Sequence, residues 1–226
     1  MPSRRLVSGL ALAALVATLG GSFGTRALAA TAAPAEHPQV RVITNMGEFV
    51  MELYPDRAPL TVSEFIKYVK EGQYTQTLIH RVVPGFLVQG GGFSAVDGST
   101  RAVHGNVPNE SGNGLQNKRG AVGLARTEAP HSGNCQFYVN LANNSELDPL
   151  PVRWGYAVFG QVIDGMDVIE RISTVPTGAE GKFKADAPLT HVIIQKMEMV
   201  GADGIKLDGP KQLAPAPTGN EVLSPN

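Results

Sequence analysis

One short segment gathers side chains suited to holding a peptide: His80-Arg81-Val82-Val83-Pro84-Gly85-Phe86-Leu87-Val88-Gln89-Gly90-Gly91-Gly92-Phe93. Arg81 is a permanent cation whose planar fork carries several N–H donors, and Gln89 offers an amide that both donates and accepts. Phe86 and Leu87 add an aromatic and an aliphatic surface beside them. Strand-like runs, Leu78–Val83 and Phe86–Gln89, flank a Pro84-Gly85 turn signal. Alternation along a regular strand puts Arg81 and Val83 on one face and Leu87 and Gln89 on another, with His80 turned away from Arg81. The glycine triplet lets the backbone turn sharply or lie close to another segment. A buried core has no use for an arginine and a glutamine here, whereas a groove that grips a peptide backbone does.

The surrounding elements must present this segment. Gln39–Asn45 alternates, with Val40, Val42 and Thr44 on one side, and Glu48–Tyr54 carries Phe49, Met51 and Leu53 on one face; Met46-Gly47 between them predicts a hairpin. From Pro55 to Gly72 the period changes: Val62, Phe65, Ile66 and Val69 line one face of a helix, with Pro59 in its first turn and Gly72 as its stop. Residues 94–118 read as a long loop. Strand signals resume at Gly120–Ala125, Gln136–Leu141 and Tyr156–Val162. Asp164 is placed to cap a second helix with Met166, Ile169 and Ile172 inward. Val175–Pro188 reads as a Gly/Pro-punctuated loop, and His191–Val200 as a last alternating strand. Many strands and two helices predict a mostly β protein, a barrel with helices over its ends.

The ends of the chain read differently. Residues 1–29 have the form of a secretory signal: Arg4 and Arg5, an apolar run from Leu6 to Leu19, and Ala27-Leu28-Ala29 as a cleavage site. An Ala/Pro-rich linker over 30–38 leads into a domain over 39–200, and 201–226 reads as a disordered tail. Removal of the leader takes the 19 Lys+Arg to 16 against 20 Asp+Glu, a net charge of −4. That balance argues against a nucleic-acid partner or an acidic membrane surface. Cys135 is the sole cysteine, so an internal disulfide is excluded. A hydrolase built on Cys135 and a histidine would lack an orienting acid or a nucleophile elbow, and no His/Cys cluster marks a zinc site or other cofactor.

The ordered segment resembles the signature of the cyclophilins, the peptidyl-prolyl cis–trans isomerases. Two further blocks carry the resemblance: Gly120-Ala121-Val122-Gly123-Leu124-Ala125-Arg126 with Gln136-Phe137-Tyr138-Val139-Asn140, and Gly155-Tyr156-Ala157-Val158-Phe159-Gly160-Gln161-Val162 with Gly165-Met166-Asp167-Val168. The match runs from about Val40 to about Val200 and is similar to the exported bacterial branch. It implies a closed eight-stranded antiparallel β-barrel capped by two α-helices, needing no cofactor and acting on proline-containing polypeptides; a monomer is expected because the sequence shows no coiled-coil pattern or obvious apolar surface stripe.

The reaction such a protein runs is rotation about an Xaa-Pro bond, whose barrier is about 18–20 kcal/mol. Twisting the amide returns the lone pair to nitrogen, so a donor aimed there stabilises the transition state more than the ground state. The resemblance assigns that donor to Arg81. It assigns Phe86, Leu87, Tyr138 and Leu147 to an apolar pocket for the proline ring, Gln89 to the substrate backbone, and Ala125, Arg126 and Gln136 to the adjoining groove. Tyr156 stands where many relatives have an active-site histidine. His80 reads as a satisfied structural histidine, since the reaction moves no proton. Glu146 falls at or near a tryptophan position linked to cyclosporin in the eukaryotic branch, implying weak affinity for that drug; Trp154 is the nearby candidate to fill the space. The other reading is a barrel of the same fold that holds proline segments without turnover.

Overall fold

A computed structural model describes residues 37–200. The expected leader, most of the linker and the tail lie outside the described residues. Ten strands and two helices follow in chain order: β1 Gln39–Thr44, β2 Gly47–Leu53, α1 Pro59–Lys70, β3 Thr77–Val83, β4 Leu87–Ser94, β5 Ala121–Leu124, β6 Phe137–Asn140, β7 Val158–Asp164, α2 Met166–Ser173, β8 Thr177–Glu180, β9 Phe183–Pro188 and β10 Val192–Val200. Eight of the strands close into an antiparallel barrel in the order β1-β10-β3-β4-β6-β5-β7-β2.

Alternation in β1 turns Val40, Val42 and Thr44 inward, as the sequence predicts. The Thr44 hydroxyl donates to the Gly47 carbonyl at 2.7 Å and accepts from the Met46 N–H at 3.0 Å, tying the turn into β2. Val82, Val88, Val122, Val139 and Phe159 fill the interior with side chains, as expected of a barrel this narrow.

Helix α1 closes one end of the barrel. Pro59 occupies its first turn and Gly72, at φ 70°, follows its end. Val62, Phe65 and Val69 are buried as expected; Tyr68 completes the inner face, and Ile66 is only partly buried. Phe65 meets the rings of Phe137 and Phe159 at 5.8 and 5.0 Å. The residue at the helix start, Ala58, has no side chain to cap with. Glu110, from the long loop, supplies the cap instead, accepting from the N–H groups of Leu60 at 3.1 Å and Thr61 at 2.8 Å. A carboxylate there also suits the positive end of the helix dipole.

Helix α2 buries Val168, Ile169 and Ile172, while Met166 is partly buried. Its cap position belongs to Gly165, at φ 75°, and not to Asp164, whose carboxylate accepts only the Gly165 N–H at 2.9 Å.

Three expectations about the backbone are corrected. Val175–Pro188 is not a loop: β8 and β9 pair as a separate two-stranded sheet that packs beside β3. Its strands are short and lack alternating apolar residues, and their Gly and Pro content hides them. Second, β3 is not regular. Ile79 pairs with Gly90 and Arg81 with Gln89, leaving His80 as an extra residue in a bulge. His80 therefore does not turn away from the Arg81 side; its ring sits outside the barrel interior against Phe93 and Phe183. Third, Arg81 lies opposite Gln89 and Val83 opposite Leu87, so all four share one face.

Candidate active site

The register lays the site out as a row across four strands. Arg81 on β3 faces Gln89 on β4, Gln89 faces Tyr138 on β6, and Tyr138 faces Gly123 on β5. Directly opposed residues project to the same side of a sheet. Their neighbours Val82, Val88, Val122 and Val139 belong to the interior, so this row lies on the outer surface of the barrel. The bulge at His80 makes the arrangement possible: without the extra residue, Val82 could not point inward while Ile79 does too.

Polar contacts link the row. Arg81 Nη1 donates to Gln89 Oε1 at 3.5 Å, and Gln89 Nε2 donates to Gln136 Oε1 at 3.0 Å. The Gln136 side chain lies on Gly92, where a Cβ would come within 2.5 Å of its Cγ. The glycine triplet thus serves both anticipated uses, close approach at Gly92 and a left-handed backbone of φ 90° at Gly91. Arg81 is partly exposed, at 38%, so its fork is open to a ligand.

Beside the row is an apolar patch. Leu87 and Tyr138 are 4% and 2% exposed, and Phe86 is half-buried just ahead of β4. The Phe86 carbonyl accepts from the Leu141 N–H at 2.9 Å and from Asn144 Nδ2 at 2.8 Å, which fixes the backbone next to Leu87. The Tyr138 ring covers Gly123 so closely that a Cβ there would run into it. The Tyr138 hydroxyl donates to Asn117 Oδ1 at 2.6 Å, and burial holds the phenol well above its usual pKa, so it stays a donor. Asn117 Nδ2 donates onward to Asp148 Oδ1 at 2.9 Å. Half-buried Leu147 sits in a single 3₁₀ turn, Ser145–Leu147, and its carbonyl accepts from the Tyr156 N–H at 2.8 Å. The Tyr156 ring meets Tyr138 edge-on at 6.1 Å.

The adjoining groove follows β5. The Ala125 N–H donates to the Gln136 carbonyl at 2.9 Å. Arg126 lies over the Tyr156 ring at 4.3 Å, and its N–H groups go to the carbonyls of Gly155, Trp154, Thr127 and Glu128. That guanidinium is committed to holding backbone and presents a flat surface. Trp154 is 47% exposed and meets His131 edge-on at 5.1 Å, while Glu146 is exposed.

Two residues are removed from the chemistry. Burial pushes the His80 imidazole down to about 4, with the nearby Arg81 charge acting in the same direction. Its ring is buried against Phe93 and Phe183, but the expectation of a satisfied histidine fails at Nδ1, which is buried with no partner. Cys135 is buried too, and burial pushes its thiol up, which suits an inert core cysteine and not a nucleophile. Among the described residues no group of three or more His, Cys, Asp or Glu is placed to hold a metal ion.

Sequence reasoning missed Asn117, which anchors the Tyr138 hydroxyl, and Asp186 on β9, whose Oδ2 lies 3.6 Å from Arg81 Nε. Neither carries a local signal. Gly123 does: a glycine inside an apolar strand run marks a close approach.

Known proteins resemble this chain in sequence and in fold. The family model described as cyclophilin type peptidyl-prolyl cis-trans isomerase/CLD matches residues 39–199. Peptidyl-prolyl cis-trans isomerase B of Escherichia coli is 43% identical over 68% of this chain and 94% of its own. Peptidyl-prolyl cis-trans isomerase A of Dickeya dadantii is 40% identical over 84% of this chain and 96% of its own. Among solved structures, a cyclophilin type isomerase from Cryptosporidium parvum superposes with a TM-score of 0.61 at 24% identity, over 73% of this chain and 98% of its own. A second structure of that protein, obtained in the presence of the dipeptide Ala-Pro, gives 0.60 over 72% of this chain and 99% of its own. With the closed barrel, the outward row from Arg81 to Gly123 and a family match spanning the whole described barrel, the chain belongs to the cyclophilin-type peptidyl-prolyl cis–trans isomerases.

Proposed function

We propose that this isomerase rotates Xaa-Pro bonds in exported polypeptides, with Arg81 as the group that meets the twisted amide nitrogen. The observation that carries the residue assignment is the row itself. It sets a partly exposed guanidinium on the same outer side of the barrel as the apolar side chains of Leu87 and Tyr138. The proline ring, which has no donor, rests against Phe86, Leu87, Tyr138 and Leu147 by shape and apolar contact. Gln89 and Gln136 already form a hydrogen-bonded pair and can exchange those bonds for a substrate backbone. Arg81 then donates where the nitrogen lone pair appears, an interaction made only in the transition state. No proton moves, in keeping with a neutral His80 and a protonated Cys135.

The alternative, a proline-binding module without turnover, makes no demand for a donor at the nitrogen. A protease-coupled cis-to-trans assay separates the two. Turnover above the uncatalysed rate is expected, and binding without acceleration would favour the module.

The export reading rests on the leader-like form of residues 1–29. Sequencing the amino terminus of the protein recovered from outside the cytoplasm should find a start near Ala30, and a cytoplasmic protein retaining Met1 would contradict it. The monomer reading predicts a single species of one chain's mass in light scattering. Glu146 at the pocket rim offers cyclosporin no flat indole, so weak binding is expected in a titration of Trp154 fluorescence, and Glu146→Trp should tighten it.

A further inference from the structure

Arg81 has a neighbour that its own motif does not supply. Asp186 Oδ2 lies 3.6 Å from Arg81 Nε, with both side chains partly exposed. Gln89 takes the Nη1 corner of the same fork, so the two partners hold different parts of the guanidinium. Asp186 also has a left-handed backbone, at φ 60°, a conformation uncommon outside glycine and reached more readily by Asp and Asn than by most residues. Such a conformation persists only where the surroundings enforce it. Here β9 is fastened on both sides of Asp186. Before it, Phe183 lies on the His80 and Phe93 rings at 5.5 and 5.0 Å; after it, Ala187 is 2% exposed. The carboxylate is thus set by an anchored strand and a short side chain, while Arg81 has four rotatable bonds to restrain.

We infer that Asp186 is a positioning residue: its carboxylate restrains the Nε edge of Arg81 so that the remaining N–H groups face the proline pocket. The β8–β9 hairpin, otherwise outside the barrel, is then the element that aims the donor. This rests on the assignment of Arg81 to the twisted nitrogen. The pair sits in solvent, so its effect is one of orientation and not of fold stability.

The test is a double-mutant cycle in the isomerase assay. Asp186→Asn keeps the shape and the tolerance for a left-handed backbone but removes the charge. It should lower kcat by about threefold to tenfold with KM little changed, as loss of an interaction made only in the transition state does. Asp186→Gly relaxes the backbone and should keep or raise the melting temperature while losing the same activity. In an Arg81→Ala background Asp186→Asn should have no further effect, because the two act as one unit. Raising salt to about 0.5 M should narrow the gap between wild type and Asp186→Asn, since the pair is screened. Equal losses from Asp186→Asn with and without Arg81, or no loss with Arg81 present, would overturn the positioning role while leaving the Arg81 assignment standing. An active Arg81→Ala protein would instead remove the assignment on which it rests.

Discussion

Tyr138 shows how one side chain serves packing and the site together. Its ring lies over Gly123, where the proposed proline site has its floor, and its hydroxyl is bound to Asn117. Asn117 Oδ1 also accepts from Asn140 Nδ2 at 3.3 Å, so deleting the phenol oxygen does not strand a buried acceptor. Tyr138→Phe should therefore cost about 1 kcal/mol in denaturant unfolding. It should leave kcat/KM within about twofold, because the apolar face is kept. A large loss of activity would mean that the hydroxyl does more than anchor the ring. Arg81, Phe86 and Gln89 could be read from the sequence because they fall in one ordered string. Asp186 could not, because it reaches Arg81 through a hairpin packed against the barrel, and an aspartate in a glycine-rich stretch looks like any turn residue.

At the scale of elements, period was enough where one face is buried. The inward residues of β1 and most of those of both helices follow from alternation and from the i, i+3, i+4 pattern, while Tyr68 and Val168 join the buried faces and Ile66 and Met166 are only partly buried. Register was not legible. The bulge at His80 brings that residue to the Arg81 side against the alternation of a regular strand, and bulges depend on which partner pairs with which residue. The short β8 and β9 strands were missed because their stability comes from packing on His80 and Phe93 and not from their own pattern. The β5–β6 pairing gives a sharp test. Gly123 has no side chain where it faces Tyr138, and a methyl group there must displace the ring. Gly123→Ala should destabilise by about 1–3 kcal/mol. It should also lower kcat/KM, by displacing the Tyr138 ring of the proposed proline site; an unchanged denaturant midpoint would show that β5 can shift to make room.

At the scale of the whole molecule, the burial of His80 predicts a stability that depends on pH, with no matching response in the proposed catalysis. A free imidazole takes up a proton near 6.5, and the folded His80 only at about 4. Between those values the unfolded chain binds more protons than the folded one, so stability falls as pH drops from 6.5 toward 4. The loss amounts to roughly 3 kcal/mol at the lower end. Urea midpoints measured across this window should show it, and His80→Gln should flatten that slope. Isomerase activity should stay level from neutral to mildly alkaline pH, because no step transfers a proton. The closed barrel and the two caps are the parts of the molecule most fully implied by the family resemblance. The central claim remains that Arg81 supplies the donor for the twisted amide. The most direct measurement is kcat/KM of Arg81→Ala on an Xaa-Pro peptide in the protease-coupled assay, with circular dichroism to check the fold. The account predicts a fall of more than about tenfold, at least about 1.4 kcal/mol of transition-state stabilisation, in a normally folded protein. A folded Arg81→Ala variant with near wild-type kcat/KM would contradict it.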